Sequence, residues 1–468
     1  VKIFGKSANE LGTIHFIGAG GIGMSGLMEG LHSAGFNVSG SDAAADDNAN
    51  VTRLRDLGID VMNGHDVSHV DGAAIVVVST AITPNNVELI AAEGAGRDVI
   101  HRADMLAEIM QNFNTIAVTG THGKTSTTAL IYTALQAAGI DVGMVNGGVL
   151  TALKTNVILP KKPEGWLVVE ADESDASFTK FKPDIGVITN IEAEHMDTFG
   201  DEEKLLAGFK TFLDNIKDIA VLCADDERVA LLEGFAACDV VTYGFDEFAD
   251  ARCVGTPVPQ GQGAAQSGMA FDALLRGGHL PDVVVNAVGV HNVQNALSAL
   301  AIAQILNADV NKAATGLAEY AGVGRRFTLV GQFHGADVID DYGHHPTEIA
   351  ATLEAAKKVY PAGKVVAIVQ PHRYTRLRDL MDDFASSVKI ADAVVVLPVY
   401  AAGEPPLEGV DHTILAEKIR AALPKLPVIA ADNEWMLAEL LEPYAEDENC
   451  LLFLGAGDSG RMARELTT

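Results

Sequence analysis

Residues 119–125 read Thr119-Gly120-Thr121-His122-Gly123-Lys124-Thr125, and this stretch decides the fold. It lies between an apolar run, 115–118, and a helix-like segment, 126–138. A strand that ends in a glycine-rich turn and hands over to Lys-Thr at a helix start is a phosphate cradle. Backbone N–H groups and the positive helix end face the anion, the lysine offsets the outer phosphates, and the threonine hydroxyl can hold a divalent cation. Val118 stands where the full pattern has its first glycine, so only the shorter G-x-x-G-K-T is met. Gly120, Thr121, Gly123, Lys124, Thr125 and Ser126 are the phosphate-binding candidates.

Outward from this loop, β-branched runs alternate with helix-like segments, the pattern of parallel sheets covered by helices. The spacing predicts strands at 13–17, 38–41, 74–78, 165–170, 185–190 and 219–223, then 338–341, 365–369, 393–397 and 451–454. Helices are expected over 24–34, 103–110 and 292–306. Residues 255–280, rich in Gly and Pro, read as an irregular or β-rich excursion. The polar 111–114 and the Gly322-Val323-Gly324-Arg325-Arg326 segment mark boundaries. The expected architecture is α/β with three mostly parallel domains, 1–112, 113–324 and 325–468. Two to four domains is also what 468 residues imply.

A net charge of −30 with the excess spread along the chain leaves no basic stripe, which argues against a nucleic-acid or anionic-membrane partner. Cys223, Cys238, Cys253 and Cys450 show no metal or disulfide spacing. No apolar run is long enough for a membrane span, and no basic-then-apolar leader is visible, so a cytoplasmic location is expected. The first residue is valine, as in a chain trimmed at its start.

Three further constellations carry chemistry. Gly18-Ala19-Gly20-Gly21-Ile22-Gly23, with Asp42 downstream, allows close backbone approach to a pyrophosphate, from a dinucleotide or from a nucleotide sugar. Glu170-Ala171-Asp172-Glu173-Ser174-Asp175 follows a strand, where one carboxylate is a natural ligand for a phosphate-bound cation. For Glu173 and Asp175 a solvated acidic turn is the competing reading. Asn190-Ile191-Glu192-Ala193-Glu194-His195-Met196-Asp197 follows the next strand and puts His195 on the same rim, close to Glu170 if the two strands are neighbours.

T-G-T-H-G-K-T, E-A-D-E-S-D, T-N-I-E-A-E-H-M-D, H-N-V-Q-N-A, G-R-R-F, D-D-Y-G-H-H-P-T-E and Q-P-H-R-Y-T-R occur in this order. Together they resemble the Mur ligases of peptidoglycan synthesis over essentially the whole chain. The blocks at 18–26 and 342–346 look most like the alanine-adding branch, with the branch that joins a whole tripeptide to the same sugar as runner-up. The resemblance implies an ATP-dependent ligase joining L-alanine to UDP-N-acetylmuramate, with Mg²⁺ or alternatively Mn²⁺, as a monomer or homodimer. It also implies that the last domain closes over the amino acid.

Residue by residue, the resemblance implies that Lys124 meets the β/γ-phosphates and Thr125 one metal ion, with Glu170 and His195 on a second. His291, Asn292 and Asn295 would lie at the adenine, and Arg326 and Asp341 at the phosphates and ribose. Tyr342, His344, Arg373 and Arg376 would surround the amino acid and the reacting carboxylate. Gly18, Gly20, Gly21 and Gly23 would cradle the diphosphate, with Ser79 and Asp42 nearby. Glu194 replaces the family's aspartate before the histidine, one methylene longer, and Lys204 is given no role. His344-His345 could also be read as a metal pair, but substrate contact by His344 is the favoured reading.

Overall fold

The computed structural model describes residues 1–261 and 267–468; part of the 255–280 excursion, residues 262–266, lies outside the described residues. By packing, the chain divides into two compact units. One holds Val1–Val254, Ala273–Leu280 and Gln294–Leu317, and the other Gly255–Asp272, Pro281–Val293 and Ala318–Thr468.

Within the first unit, β1 (Thr13–Ile17), β2 (Val38–Asp42), β3 (Asp60–Asn63), β4 (Ala73–Val78) and β5 (Asp98–His101) form a parallel sheet ordered β3-β2-β1-β4-β5. Strand order reverses at β1, which places the Gly18 loop at the switch point where such sheets bind ligands. The helix Ile22–Ser33 leaves this loop.

A second sheet is built on β6 (Asn114–Thr119), β7 (Val142–Leu150), β8 (Thr155–Ile158), β9 (Trp166–Glu170), β10 (Ile185–Ile188), β11 (Ile219–Cys223) and β12 (Asp239–Gly244). Their order is β12-β11-β10-β6-β9-β7-β8, parallel except for the edge strand β8. The expected excursion is β-rich: β13 (Ala251–Gln260), β14 (Gly268–Leu275) and β15 (Gly278–Val285).

Helix Ile22–Ser33 seats on the β7–β8 hairpin through two glycines. A Cβ on Gly26 would lie 2.7 Å from Asn156 Nδ2, and one on Gly30 would lie 2.8 Å from Val157 Cγ1. Asn156 Nδ2 also donates to Ile22 O at 3.1 Å.

The second unit carries β16 (Thr328–Phe333), β17 (Ala336–Asp341), β18 (Val365–Val369), β19 (Ala393–Val396), β20 (Val428–Ala430) and β21 (Cys450–Leu454), ordered β16-β17-β21-β18-β19-β20. Only the β16–β17 pair is antiparallel. Burial on both faces explains the unbroken apolar runs. Val365, Ala367 and Val369 enter one hydrophobic cluster, and Val366 and Ile368 the opposite one. Among the described residues no helix is long and apolar enough to cross a membrane.

Two expectations need correction. The strand expected at 185–190 stops at Ile188, because Thr189 and Asn190 turn away to bond the phosphate loop. Strands β9 and β10 are not neighbours: β6 runs between them. Glu170 and His195 therefore leave strand ends on opposite sides of the strand that carries Lys124.

Candidate active site

In the first unit the phosphate loop is fixed from below. Gly120 holds φ at +136°, and a Cβ there would come 2.0 Å from Thr189 Oγ1, so only glycine fits. Gly123, at φ +80°, is the N-cap of the helix Lys124–Ala137, and Asn295 lies beneath it, with its Oδ1 3.3 Å from where a Cβ would stand. Thr121 N donates to Asn190 O at 3.0 Å and His122 N to Asn190 Oδ1 at 2.8 Å. Thr189 Oγ1 and Asn190 Nδ2 donate to His122 O at 2.7 and 3.0 Å, and Glu192 N donates to Thr121 Oγ1 at 2.8 Å.

Lys124 is the hub. Its ammonium donates to Gly120 O at 2.7 Å and Thr121 O at 3.0 Å, and pairs with Glu173 Oε2 at 2.6 Å. Burial alone would lower its pKa, but the charges of Glu173, Asp172 and Glu170 outweigh that and hold it above the ordinary lysine value. Glu173 is 1% exposed, so the solvated-turn reading of this residue is wrong. It faces inward because it pairs with both Lys124 and the imidazole of His195, whose Nε2 is 3.4 Å away.

Glu170 accepts from Thr125 Oγ1 at 3.0 Å and from Gly147 N at 2.7 Å. A Cβ on Gly147 would meet Glu170 Oε1 at 2.6 Å, so this glycine permits the contact. Burial raises the Glu170 carboxyl above its usual range, against the pull of Lys124 and the Gly147 amide. His195 holds φ at +58°, a left-handed conformation costly for a non-glycine residue. Burial would lower its pKa, but Glu173 and Glu194 raise it overall.

The glycine cluster around residue 18 is braced from within. Gly18 N and Ala19 N donate to Ser41 O at 2.8 and 2.9 Å. Gly20 N donates to Asp42 Oδ2 at 2.8 Å, so Asp42 supports the loop directly. Gly21 is the N-cap of Ile22–Ser33, and Gly23 lies against Arg102. Ser79 follows β4, half-buried.

In the second unit the predicted residues gather past the carboxyl ends of β17 and β18. Asp341 is buried and accepts from Phe327 N at 2.8 Å and Gly343 N at 2.7 Å; burial raises its carboxyl while Arg326 opposes. The Tyr342 ring lies 5.0 Å from the Arg325 guanidinium and 5.3 Å from that of Arg326, within cation–π range. His344 Nδ1 faces Tyr342 O at 3.1 Å and Glu348 Oε2 at 3.4 Å. Both are acceptors, so Nδ1 carries a proton. His345 caps the helix Pro346–Val359, accepting from Thr347 N in a capping box with Glu348. That commits His345 Nδ1 to the backbone.

Arg373, at φ +68°, precedes the helix Tyr374–Asp379 and pairs with Glu404 Oε1 at 3.0 Å. Arg376 Nη1 lies 3.2 Å from His372 Nδ1. Burial, then His344, Arg376, Arg373 and Arg325, push His372 down to about 3, so its ring is neutral. It stacks on Tyr400 at 5.5 Å and 9°. His291 and Asn292 open the helix Val290–Ile305, on which Asn295 also lies. Burial and then Arg326 lower His291 to about 4, and Asn292 Nδ2 donates to Val288 O at 2.7 Å.

Sequence reasoning missed Arg102, Gly147, Arg325, His372, Tyr400 and Glu404. His372 was already inside a quoted motif, and Arg102 follows β5 as Lys124 follows β6; the strand-end rule would have found both.

Residues 13–114 match the Mur ligase family catalytic domain, 118–303 the Mur ligase middle domain, and 325–457 the Mur ligase glutamate ligase domain. A UDP-N-acetylmuramate--L-alanine ligase of Caulobacter vibrioides is 44% identical, covering 96% of this chain and 94% of its own. Its counterpart in Brucella anthropi is 43% identical over 98% of both. The crystal structure of a UDP-N-acetylmuramate-alanine ligase from Thermotoga maritima matches with a TM-score of 0.80 at 26% identity, covering 97% of this chain and 98% of that one. A murein peptide ligase from Psychrobacter arcticus shares the fold, with a TM-score of 0.70 at 24% identity over 97% of this chain and 98% of that one. With matches spanning nearly its full length, the chain belongs to the Mur ligase family.

Proposed function

We propose that this protein joins L-alanine to UDP-N-acetylmuramate, driven by ATP, through an acyl phosphate that yields ADP and phosphate. The relatives' activity supports the reading, and one observation carries it: a buried Lys124 ammonium at the mouth of a glycine loop, faced by Glu170, Asp172 and Glu173. We also propose domain limits of 1–112, 113–324 and 325–468 and a cytoplasmic location.

A carboxylate is a poor electrophile until phosphorylated, and the attack of one anion on another needs its charge offset. Lys124 and the loop N–H groups do this for the β/γ-phosphates. The donors near Lys124 fit a hard divalent cation: a threonine hydroxyl and a buried carboxylate that burial makes reluctant to carry its charge alone. We assign Thr125 to one Mg²⁺ and Glu170 with His195 to a second, with Mn²⁺ as the alternative; bound there, the ions would supply charge neutralisation to the phosphates. His195 must shed its proton to serve as a ligand.

In the second step the neutral amine of alanine attacks the acyl carbon. His344 Nε2 is the proposed acceptor of the amine's proton, with Tyr342 O holding the Nδ1 tautomer. Arg373 and Arg376 are proposed for the amino acid's carboxylate, where a fork of N–H donors matches two oxygens. His291, Asn292 and Asn295 keep their assignment to the adenine, and Arg326 and Asp341 theirs to the phosphates and ribose. Gly18, Gly20, Gly21 and Gly23 keep theirs to the diphosphate, with Asp42 bracing the loop and Ser79 beside it.

The test is a coupled phosphate-release assay across UDP-sugars, amino acids and small peptides. Release that requires both UDP-N-acetylmuramate and L-alanine is the expected result. Release with a tripeptide but not alanine would transfer the reading to the recycling branch, and release without a sugar acid would end it.

A further inference from the structure

Arg373 adopts a backbone conformation that its residue type disfavours, and a second loop holds it there. Its φ is +68°, costly for a residue with a Cβ, and it starts the helix Tyr374–Asp379 without a capping side chain of its own. The cap comes instead from Glu404, in the loop past β19. Glu404 Oε2 accepts from Thr375 N at 3.0 Å; Oε1 accepts from Thr375 Oγ1 at 2.7 Å and pairs with Arg373 Nε at 3.0 Å. Both carboxylate oxygens are thus spent on the turn that carries Arg373. Burial would raise the Glu404 carboxyl, but the Thr375 bonds and then the Arg373 charge hold it below its usual range, so it stays ionised.

The loop is shaped to deliver this carboxylate. His372 and Tyr400 add a parallel bridge beyond β18 and β19, with Tyr400 N donating to Pro371 O and Arg373 N to Tyr400 O, both at 2.9 Å. Ala402 and Gly403 then take φ of +49° and +86°, and Glu404 N donates back to Ala401 O at 3.0 Å, a tight reversal of the type I′ kind. An alanine in the left-handed region is a cost that the surrounding structure must offset. Pro405 follows directly and restricts the Glu404 backbone to extended conformations. The Glu404 side chain is 16% exposed against 35% for Arg373, so the carboxylate is the more enclosed partner of the pair.

We propose that Glu404 is a positioning residue for the amino-acid carboxylate: by holding Nε it fixes the plane of the Arg373 guanidinium, and with it the direction from which that carboxylate is met. The inference rests on the assignment of Arg373 to the alanine carboxylate. A guanidinium recognises a carboxylate through a planar fork, so its orientation matters as much as its charge. A long side chain that is already immobilised also surrenders less freedom on capturing an anion. The effect of Glu404 therefore falls on alanine affinity. Charge alone predicts the reverse sign, because removing one carboxylate beside the site would strengthen the binding of another.

Steady-state phosphate release by the full chain, with alanine, ATP and UDP-N-acetylmuramate varied in turn, tests it. Glu404→Gln should raise the alanine KM by about 10-fold, the scale of one hydrogen bond between charged groups, with kcat and the other KM values within about 3-fold. Thr375→Val removes a hydroxyl bond to Glu404 but leaves the Arg373 pair, so it should raise the alanine KM by less. In an Arg373→Met background, Glu404→Gln should add less than about 2-fold, since no guanidinium is left to position. A lower alanine KM in Glu404→Gln would show that its charge matters and its hold does not. An unmoved alanine KM, equal rises for every substrate, or full additivity with Arg373→Met would equally overturn the proposal. If the unaltered protein released no phosphate in response to alanine, the ligase reading would fall; if it did and Glu404→Gln matched it, this inference alone would fall.

Discussion

The surroundings of Lys124 and of His372 solve the same topological problem with opposite charge. Each lies in loops past the carboxyl ends of parallel strands. Around Lys124, one ammonium is enclosed by Glu170, Asp172 and Glu173, which hold its pKa up against burial. Around His372, burial and then His344, Arg376, Arg373 and Arg325 press an imidazole down to about 3. Strand-end topology therefore fixes where ligands dock, and the loop residues choose the sign of what docks. An acidic rim around a lysine suits a hard divalent cation that travels with phosphates. A guanidinium rim suits carboxylates and phosphates.

The largest expected effect removes the cation of the acidic rim. Lys124→Ala should lower turnover by at least about 10²-fold while UDP-sugar binding stays largely intact, since charge stabilisation at a developing phosphate is worth that much. A variant with near-full activity would break the comparison at its first half. Next, Arg376→Ala should raise the alanine requirement by about 10-fold or more, with far less change in the ATP requirement, as expected for a charged hydrogen bond to one substrate. Equal effects on both would detach the guanidinium rim from the amino acid. The same variant should move the His372 titration upward from about 3, because Arg376 is among the charges that lower it.

A third enclosure sharpens the contrast. Glu88 is fully buried beside His15, His65 and His69; burial raises its pKa, but hydrogen bonds from His15, Ser41 and His69 pull it from 4.5 to about 2. Its folded value lies below its unfolded one, so its contribution is present above about pH 4.5 and drains away as pH falls toward about 2. At about 1.4 kcal/mol per pKa unit, the stability at stake is on the order of 3 kcal/mol. Denaturant midpoints of Glu88→Gln and the unaltered chain should therefore converge as pH is lowered from 7 to 3. The smallest effect is spectroscopic. Glu173→Gln should lower the NMR titration midpoint of His195, since Glu173 is what offsets burial there. An unmoved midpoint would mean Glu194 alone supports the imidazole.

The sheet-forming runs were legible because burial on both faces leaves an unbroken apolar signature, as at Val365–Val369. β7 was not, because Gly143, Asn146, Gly147 and Gly148 dilute its pattern for reasons that exist only in three dimensions. Gly143 is required by the Ile158 carbonyl, which a Cβ would approach to 2.3 Å, and Gly147 by Glu170. Lys124, Glu170 and His195 were found by motif, but their order around β6 was hidden in the sheet topology. For Glu173 the solvated-turn reading stayed open because sequence cannot show that Lys124 and His195 face it from separate loops. Arg102 and His372 stood in plain view beside strand ends and lacked only a reason to be singled out.

The lashing of residues 120–122 to 189–192 has a consequence for affinity. At least five hydrogen bonds already hold that turn in its arched form. A nucleotide arriving there need not freeze a floppy segment, so the conformational entropy usually surrendered on anion capture was lost during folding. Amide hydrogens at Thr121 and His122 should accordingly exchange slowly even in protein stripped of nucleotide, a rigidity inherited from the neighbouring strand's exit.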